Sequence, residues 1–307
     1  MNQEIEHAYL PIRGLKLHIA HIGKGELGTL LFVHGLPEVW YSWRHQMVAA
    51  AAAGFRAIAP DLPGYGLSEP PSDLAQASWE GLIKDLLSIL DSLAISKVFL
   101  VAKDFGAKPA FDLALCHPDR VCGVVTFGVP PLVESLSLSG LPGDSTYTDG
   151  GAESDFGRFD VRRIMRTIYI LFSRSEIPVA KLGQEIMDLA DDSTPMPCWF
   201  GEEDLSSYTN LYEKSGFITA LQIPYRTKPA KAEYAKPRFE MPMFVIMGQK
   251  DYILRFPALK DYISSEKLKE IASDHEITYI PEGSHFVQEQ FPELVNQLMI
   301  DFLCKHA

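Results

Sequence analysis

Four short apolar runs, each leading into or out of a stretch of helical spacing, constrain this chain more than any other feature. They are "GTLLFVHG", "FRAIAPDL", "KVFLVAKD" and "VCGVVTFGVP". A run apolar on both of its alternating faces must be covered on both sides, which is the environment of a central parallel strand. Between them, "SWEGLIKDLLSILDSLA" repeats apolar residues at a spacing of three and four, as a helix with one buried face does. "GAKPAFDLALCHP" is a second helix, with Pro109 tolerable in its first turn. The alternation predicts an α/β fold: a mainly parallel sheet with helices on both faces.

From about Pro130 the rhythm breaks. "SLSLSGLPGDSTYTDGGAESDFGRFD" is rich in Ser, Gly and Asp and reads as a long loop. Helical patterns follow in "VRRIMRTIYILFSRS" and "EEDLSSYTNLYEKSGF". Strands return in "PMFVIMG" and "HEITYIP", and "PELVNQLMIDFLCKH" closes the chain as a helix. The expected organisation is a core of residues 1–130 and 237–307 interrupted by a mostly helical insertion, 131–236. A chain of 307 residues can bury a core of that size.

Charge narrows the partners. The chain has 40 acidic against 28 basic side chains, a formal net charge of −12, which disfavours nucleic acid and anionic membrane surfaces. No apolar run approaches the length of a membrane span, and the acidic start "MNQEIEHAYL" has no signal-peptide pattern, so a cytoplasmic location is expected. Cys116, Cys122, Cys198 and Cys304 lack metal-ligand spacing and read as buried reduced thiols.

The chemistry is concentrated in "VFLVAKDFGAKPA". An apolar strand runs into Lys103 and Asp104, and small residues (Ala102, Gly106, Ala107) flank the charge on both sides. This is the layout of a nucleophile elbow, where a strained turn lifts one side chain free of the sheet and only small neighbours let strand and helix approach. A strand-end Asp capping a helix is the alternative for this segment alone. Asp251 in "FVIMGQKDYIL" and His285 in "YIPEGSHFVQEQFP" change the balance. The order nucleophile, acid, histidine, each after a strand, is that of a hydrolase triad, with Asp251 orienting His285 as the general base. "FVHGLPEVWYSWRHQ" supplies a turn after a strand, whose Leu36 N–H, with that of Phe105, is positioned to form an oxyanion hole. His34 is read as support for that turn, and Trp40, Trp43 and Trp199 as core packing.

These segments resemble the α/β-hydrolase fold and, within it, the soluble epoxide hydrolases, especially those of plants. "LFVHGLPEVWYSWRHQ", "RAIAPDLPGYGLSEPP", "PEGSHFVQEQFP" and "YEKSGFITALQIPYR" carry the likeness, which extends over nearly the whole chain. The resemblance implies a helical cap over the core and a small apolar epoxide as substrate. It implies Asp104 as nucleophile, with water activated by His285 and Asp251 hydrolysing the resulting ester. Tyr225, in "IPYR", stands where the family places one cap tyrosine that protonates the oxirane oxygen. No metal or organic cofactor is implied.

The chain also departs from that family. Its elbow reads "AKDFG" where Gly-His-Asp-Trp-Gly is usual. Lys103 either lowers the pKa of Asp104 or reaches solvent or another carboxylate. Phe105 lacks the indole donor of haloalkane dehalogenases. The first cap segment lacks the "YxxxFQEPG" pattern; Tyr147 lies nearby out of register as the candidate second tyrosine, and Tyr169 is read as helix packing. Two alternatives therefore stand beside an epoxide hydrolase: the same fold with a lyase, cyclase or isomerase reaction, and a ligand-binding homologue without catalysis.

Overall fold

The computed structural model describes residues 4–73, 77–131, 151–181, 183–226 and 238–307, with only the backbone of Tyr225 and Arg226. Among them, the sheet has eight strands: β1 (Glu6–Ile12), β2 (Leu15–Ile22), β3 (Thr29–Val33), β4 (Arg56–Pro60), β5 (Val98–Lys103), β6 (Val121–Phe127), β7 (Met243–Gly248) and β8 (His275–Ile280). Their order across the sheet is β1-β2-β4-β3-β5-β6-β7-β8. From β4 to β8 all neighbours are parallel. β1 and β2 form an antiparallel hairpin that joins β4 antiparallel. The sequence reading did not identify that hairpin, because its outer strand alternates in burial and carries little apolar signal.

The described helices are α1 (Arg44–Ala52), α2 (Trp79–Ser92), α3 (Ala107–Cys116), α4 (Gly151–Phe156), α5 (Val161–Phe172), α6 (Glu202–Tyr212), α7 (Gln222–Arg226), α8 (Pro257–Ile263), α9 (Glu266–Ile271), α10 (Val287–Gln290) and α11 (Pro292–His306). The pleat of the parallel strands sorts them into two layers. Leu31, Val33, Leu100 and Ala102 face one side and pack with Leu82, Leu86 and Leu90 of α2 and Leu113 of α3. Leu30, Phe32, Phe99 and Val101 face the other and pack with Met47 of α1 and Val295, Met299 and Leu303 of α11. Alternating residues of the same strands thus feed two cores, as a sheet covered on both faces requires. All six residues of β5 are buried, which places the elbow at the end of a fully enclosed strand. None of the helices described is long and apolar enough to cross a membrane.

Between β6 and β7 the described chain is helical, from α4 to α7. α5 begins at Asp160, whose side chain accepts from the Arg163 N–H at 2.8 Å and so satisfies a free amide of the first turn. The expectation of a loop through "GAESDF" is corrected: these residues form α4, with Ala152, Asp155 and Phe156 buried. Asp155 is anchored by accepting from the Met187 N–H at 3.2 Å. The thiols are also corrected: Cys116, Cys198 and Cys304 are free but exposed, and Cys122 is half-buried.

Candidate active site

Asp104 is held in the left-handed region, φ 50°, between the end of β5 and the start of α3. That conformation costs a residue with a Cβ on the order of 1–3 kcal/mol and persists only where the surroundings impose it. The surroundings are the end of β3. A Cβ on Gly106 would sit 2.4 Å from the carbonyl oxygens of both Val33 and His34. Gly35 approaches from the other side, where a Cβ would fall 2.4 Å from Asp104 Oδ1. The end of β3 and the elbow therefore meet with no room for a Cβ at Gly35 or Gly106, and the Asp104 side chain remains partly exposed.

The carboxylate is surrounded by donors. Leu36 N–H donates to Oδ1 at 3.1 Å, the Phe105 N–H also hydrogen-bonds the group, and His285 Nε2 lies 3.5 Å from Oδ2. Burial opposes the charge, but the His285 hydrogen bond and charge, the Lys103 ammonium and the Phe105 amide outweigh it and hold the Asp104 pKa below the usual carboxylate value. His34 keeps the turn in shape. Its Nε2 accepts from the Leu62 N–H at 3.0 Å, which leaves Nδ1–H to donate to the Gly35 carbonyl at 2.9 Å.

Asp251 and His285 come from two loops bound to each other. Lys250 N–H donates to the Gly283 carbonyl at 2.8 Å and Gln249 N–H to that of Ile280 at 2.9 Å. The approach is close enough that a Cβ on Gly248 would lie 2.2 Å from the Gly283 oxygen. Asp251 Oδ1 accepts from the Ile253 N–H at 3.1 Å, fixing the carboxylate. Both of its oxygens are 3.1 Å from His285 Nδ1. Nδ1–H thus donates to Asp251 and Nε2 is turned toward Asp104. Burial and Lys103 push against protonation of the ring, but the Asp251 and Asp104 carboxylates more than offset them, and the His285 pKa is pushed up to about 9. The structure brings Asp104, Asp251, His285 and the two amides into one constellation.

Tyr225 lies on α7, where only its backbone is described, and Tyr147 lies outside the described residues. Trp43 is fully buried in the core against Phe32 and Phe127, whereas Trp40 and Trp199 are half-buried. Lys103 does not reach solvent. It is completely buried, with Nζ 3.5 Å from Glu38 Oε2 and 4.7 Å from the centre of the Phe286 ring.

Sequence reasoning missed a second buried cluster beneath these residues. Glu38 Oε1 accepts from Gln288 Nε2 at 2.6 Å, and burial, only partly offset by Lys103, raises the Glu38 pKa. Glu289 accepts from Tyr169 Oη at 2.7 Å, from Tyr208 Oη at 3.1 Å and from Arg44 Nη1 at 2.7 Å. Arg44 also reaches Asp204 at 2.7 Å. The Tyr169 ring stacks on Phe286 with centroids 4.3 Å apart, next to the histidine. This cluster joins α5 and α6 to the loop that carries His285. The available signal was the pair of polar residues Gln288 and Glu289 inside the short α10, where an apolar inner face is expected.

The family profile described as alpha/beta hydrolase fold matches residues 28–292. The chain is 32% identical to epoxide hydrolase 2 of Siraitia grosvenorii, with 99% of each covered, and 33% identical to epoxide hydrolase 3 of the same plant, with 98% and 99% covered. Among solved structures it is similar to an epoxide hydrolase of Vigna radiata, with a TM-score of 0.88, 30% identity and 98% of each chain covered. A laboratory-evolved variant of potato epoxide hydrolase gives a TM-score of 0.85 at 29% identity, with 98% and 99% covered.

Proposed function

Because the chain belongs to the α/β-hydrolase fold family and, within it, to the epoxide hydrolases, we propose that it opens a small apolar epoxide to a diol through a covalent ester on Asp104. The observation that carries this reading is an aspartate, in place of an alcohol or thiol, at φ 50°, facing two amide N–H groups and a histidine backed by Asp251. The relatives' names favour this reaction over a lyase, an isomerase or a binding protein on the same scaffold.

In the first half of the reaction, an Asp104 oxygen attacks an oxirane carbon and the carbon–oxygen bond of the ring breaks. The released oxygen takes a proton from a phenol of the cap, residues 131–236, for which Tyr225 is the candidate and Tyr147 the second. The proton that His285 carries at rest then restores the phenol. Ester formation removes the negative charge of Asp104, one of the two charges that raise the His285 pKa, and so frees the imidazole to act as a base.

In the second half, His285 takes a proton from water as the water oxygen attacks the Asp104 carboxyl carbon. The oxyanion that develops there faces the Leu36 and Phe105 N–H groups. Collapse breaks the acyl–oxygen bond, and His285 returns its proton to the departing diol oxygen. The carboxylic acid left on Asp104 passes its proton to His285, which regenerates the starting pair. Water thus supplies one oxygen and both protons of the net hydrolysis.

Single turnover in isotopically labelled water tests this scheme. The label should enter the Asp104 carboxylate, be found in a peptide containing that residue, and reach the diol only in later turnovers. Label passing straight from solvent into the diol would overturn it. Asp104→Ala should abolish turnover while His285→Gln accumulates the ester.

A further inference from the structure

A buried cation next to a nucleophilic carboxylate needs a reason, because it stabilises the anion and so makes it less eager to attack. The structure gives Lys103 no surface role: its side chain and that of Glu38 are both completely buried, 3.5 Å apart. Among the described residues, neither Lys103 Nζ nor Glu38 Oε2 makes a hydrogen bond of its own. The ammonium is wedged between the loop that carries the Leu36 amide, through Glu38, and the loop that carries His285, through the face of Phe286. A fully buried charge without hydrogen bonds is weakly screened, so its field reaches both reacting groups.

Resting on the proposed two-step reaction, we propose that Lys103 is a positioning residue for its second half, an internal cation that promotes hydrolysis of the Asp104 ester. When the ester breaks down, negative charge returns to Asp104 next to the ammonium, and His285 must be neutral to accept a proton from water. Lys103 favours both: it is among the groups that lower the Asp104 pKa, and it opposes protonation of His285. The same field slows the first half, so the lysine trades speed of attack for speed of release.

The charges around it act in known directions. Asp251 and Asp104 face His285 and raise its proton affinity, and the ring of Tyr252 lies 5.1 Å away. Glu38 is itself influenced by Lys103, Glu289, Asp104 and His285. Glu289 is matched by Arg44 and the Tyr169 and Tyr208 hydroxyls, and Tyr212 donates to the Glu38 carbonyl.

The test is pre-steady-state kinetics with styrene oxide, following the enzyme-bound ester by intact mass, on the wild type, Lys103→Met, Lys103→Arg and Glu38→Gln. In Lys103→Met the ester should accumulate, its hydrolysis slowing by roughly tenfold or more while its formation does not slow. The pH at which hydrolysis is half-maximal should rise by about one unit. Lys103→Arg should recover the wild-type pH limb, and Glu38→Gln, which frees the ammonium of its counter-charge, should move it toward acid. Equal slowing of both halves with an unmoved pH limb would make Lys103 a packing residue and overturn the inference. If Lys103→Met does not fold, Glu38→Gln decides alone, and a limb that stays put or moves toward alkali overturns it. A wild type that turns over epoxide without any ester on Asp104 would overturn the parent scheme and this inference with it. A wild type that forms the ester, with variants that fail these signs, overturns only the inference.

Discussion

Gly35 and Asp104 are packed so closely that a single added methyl group would overlap the aspartate side chain, lying 2.4 Å from its Oδ1 and 2.5 Å from its Cβ. The glycine is a spatial requirement of the carboxylate, set by the approach of β3 to the elbow. Gly35→Ala should therefore push the side chain off its line of attack and cost on the order of 10²-fold in kcat. Steady-state kinetics beside a thermal melt check this: unchanged kcat in a folded variant would show that the carboxylate has room to move.

Gly106 meets backbone, not side chain. Its Cβ would press on the Val33 and His34 carbonyls at 2.4 Å, and neither oxygen can yield without shifting β3. Gly106→Ala should destabilise the protein by about 1–3 kcal/mol, read as a lower midpoint in urea. A midpoint equal to that of the wild type would refute the tight crossing.

The raised His285 pKa makes stability depend on pH in a definite direction. The folded value of about 9 lies above the unfolded 6.5, so the contribution is fully present below pH 6.5 and is lost as pH rises through about 9. It amounts to at most about 3 kcal/mol. Urea melts from pH 6 to 10 should show the wild type losing stability relative to His285→Gln across that window, and parallel curves would count against it. Asp104 runs the other way. Its lowered pKa gives a contribution present above the unfolded carboxylate value and lost as pH falls through the folded one.

Glu289 holds two phenols, from α5 and α6, and one guanidinium at once. Tyr169→Phe removes a single hydroxyl from that set and should cost about 1–2 kcal/mol. Glu289→Ala leaves Arg44 and both hydroxyls without their shared acceptor and should cost about 3–5 kcal/mol. Denaturant midpoints distinguish these, and equal effects from the two variants would show that the charge is not what holds the cluster.

The parts of this design that were legible in the sequence are those coded by neighbours along the chain. The central strands carried their own two-sided apolar pattern, and α11 begins and ends where "PELVNQLMIDFLCKH" does. The elbow showed because its small residues sit next to the aspartate they serve. The order of Asp104, Asp251 and His285 showed because each follows a strand. Glu289 was illegible for the opposite reason: Tyr169 and Tyr208 lie 120 and 81 positions away from it, with no local pattern to connect them. The same holds for Lys103, whose partner Glu38 sits on a different strand's loop. α4 was hidden by its composition, since Gly, Ser and Asp spell loop until Asp155 finds the Met187 amide.

The stitching of the Gln249–Asp251 segment to Ile280 and Gly283 has a consequence for how such a chain can diverge. Asp251 and His285 are bolted to adjacent strands, and Asp104 to a third, so the geometry of these three is inherited as one piece. The helices between β6 and β7 enter and leave the sheet at neighbouring strands, Val124 pairing with Met243, so that excursion can be rewritten without re-registering a single strand. Changes within that excursion therefore fall on a stretch of sequence separate from Asp104, Asp251 and His285.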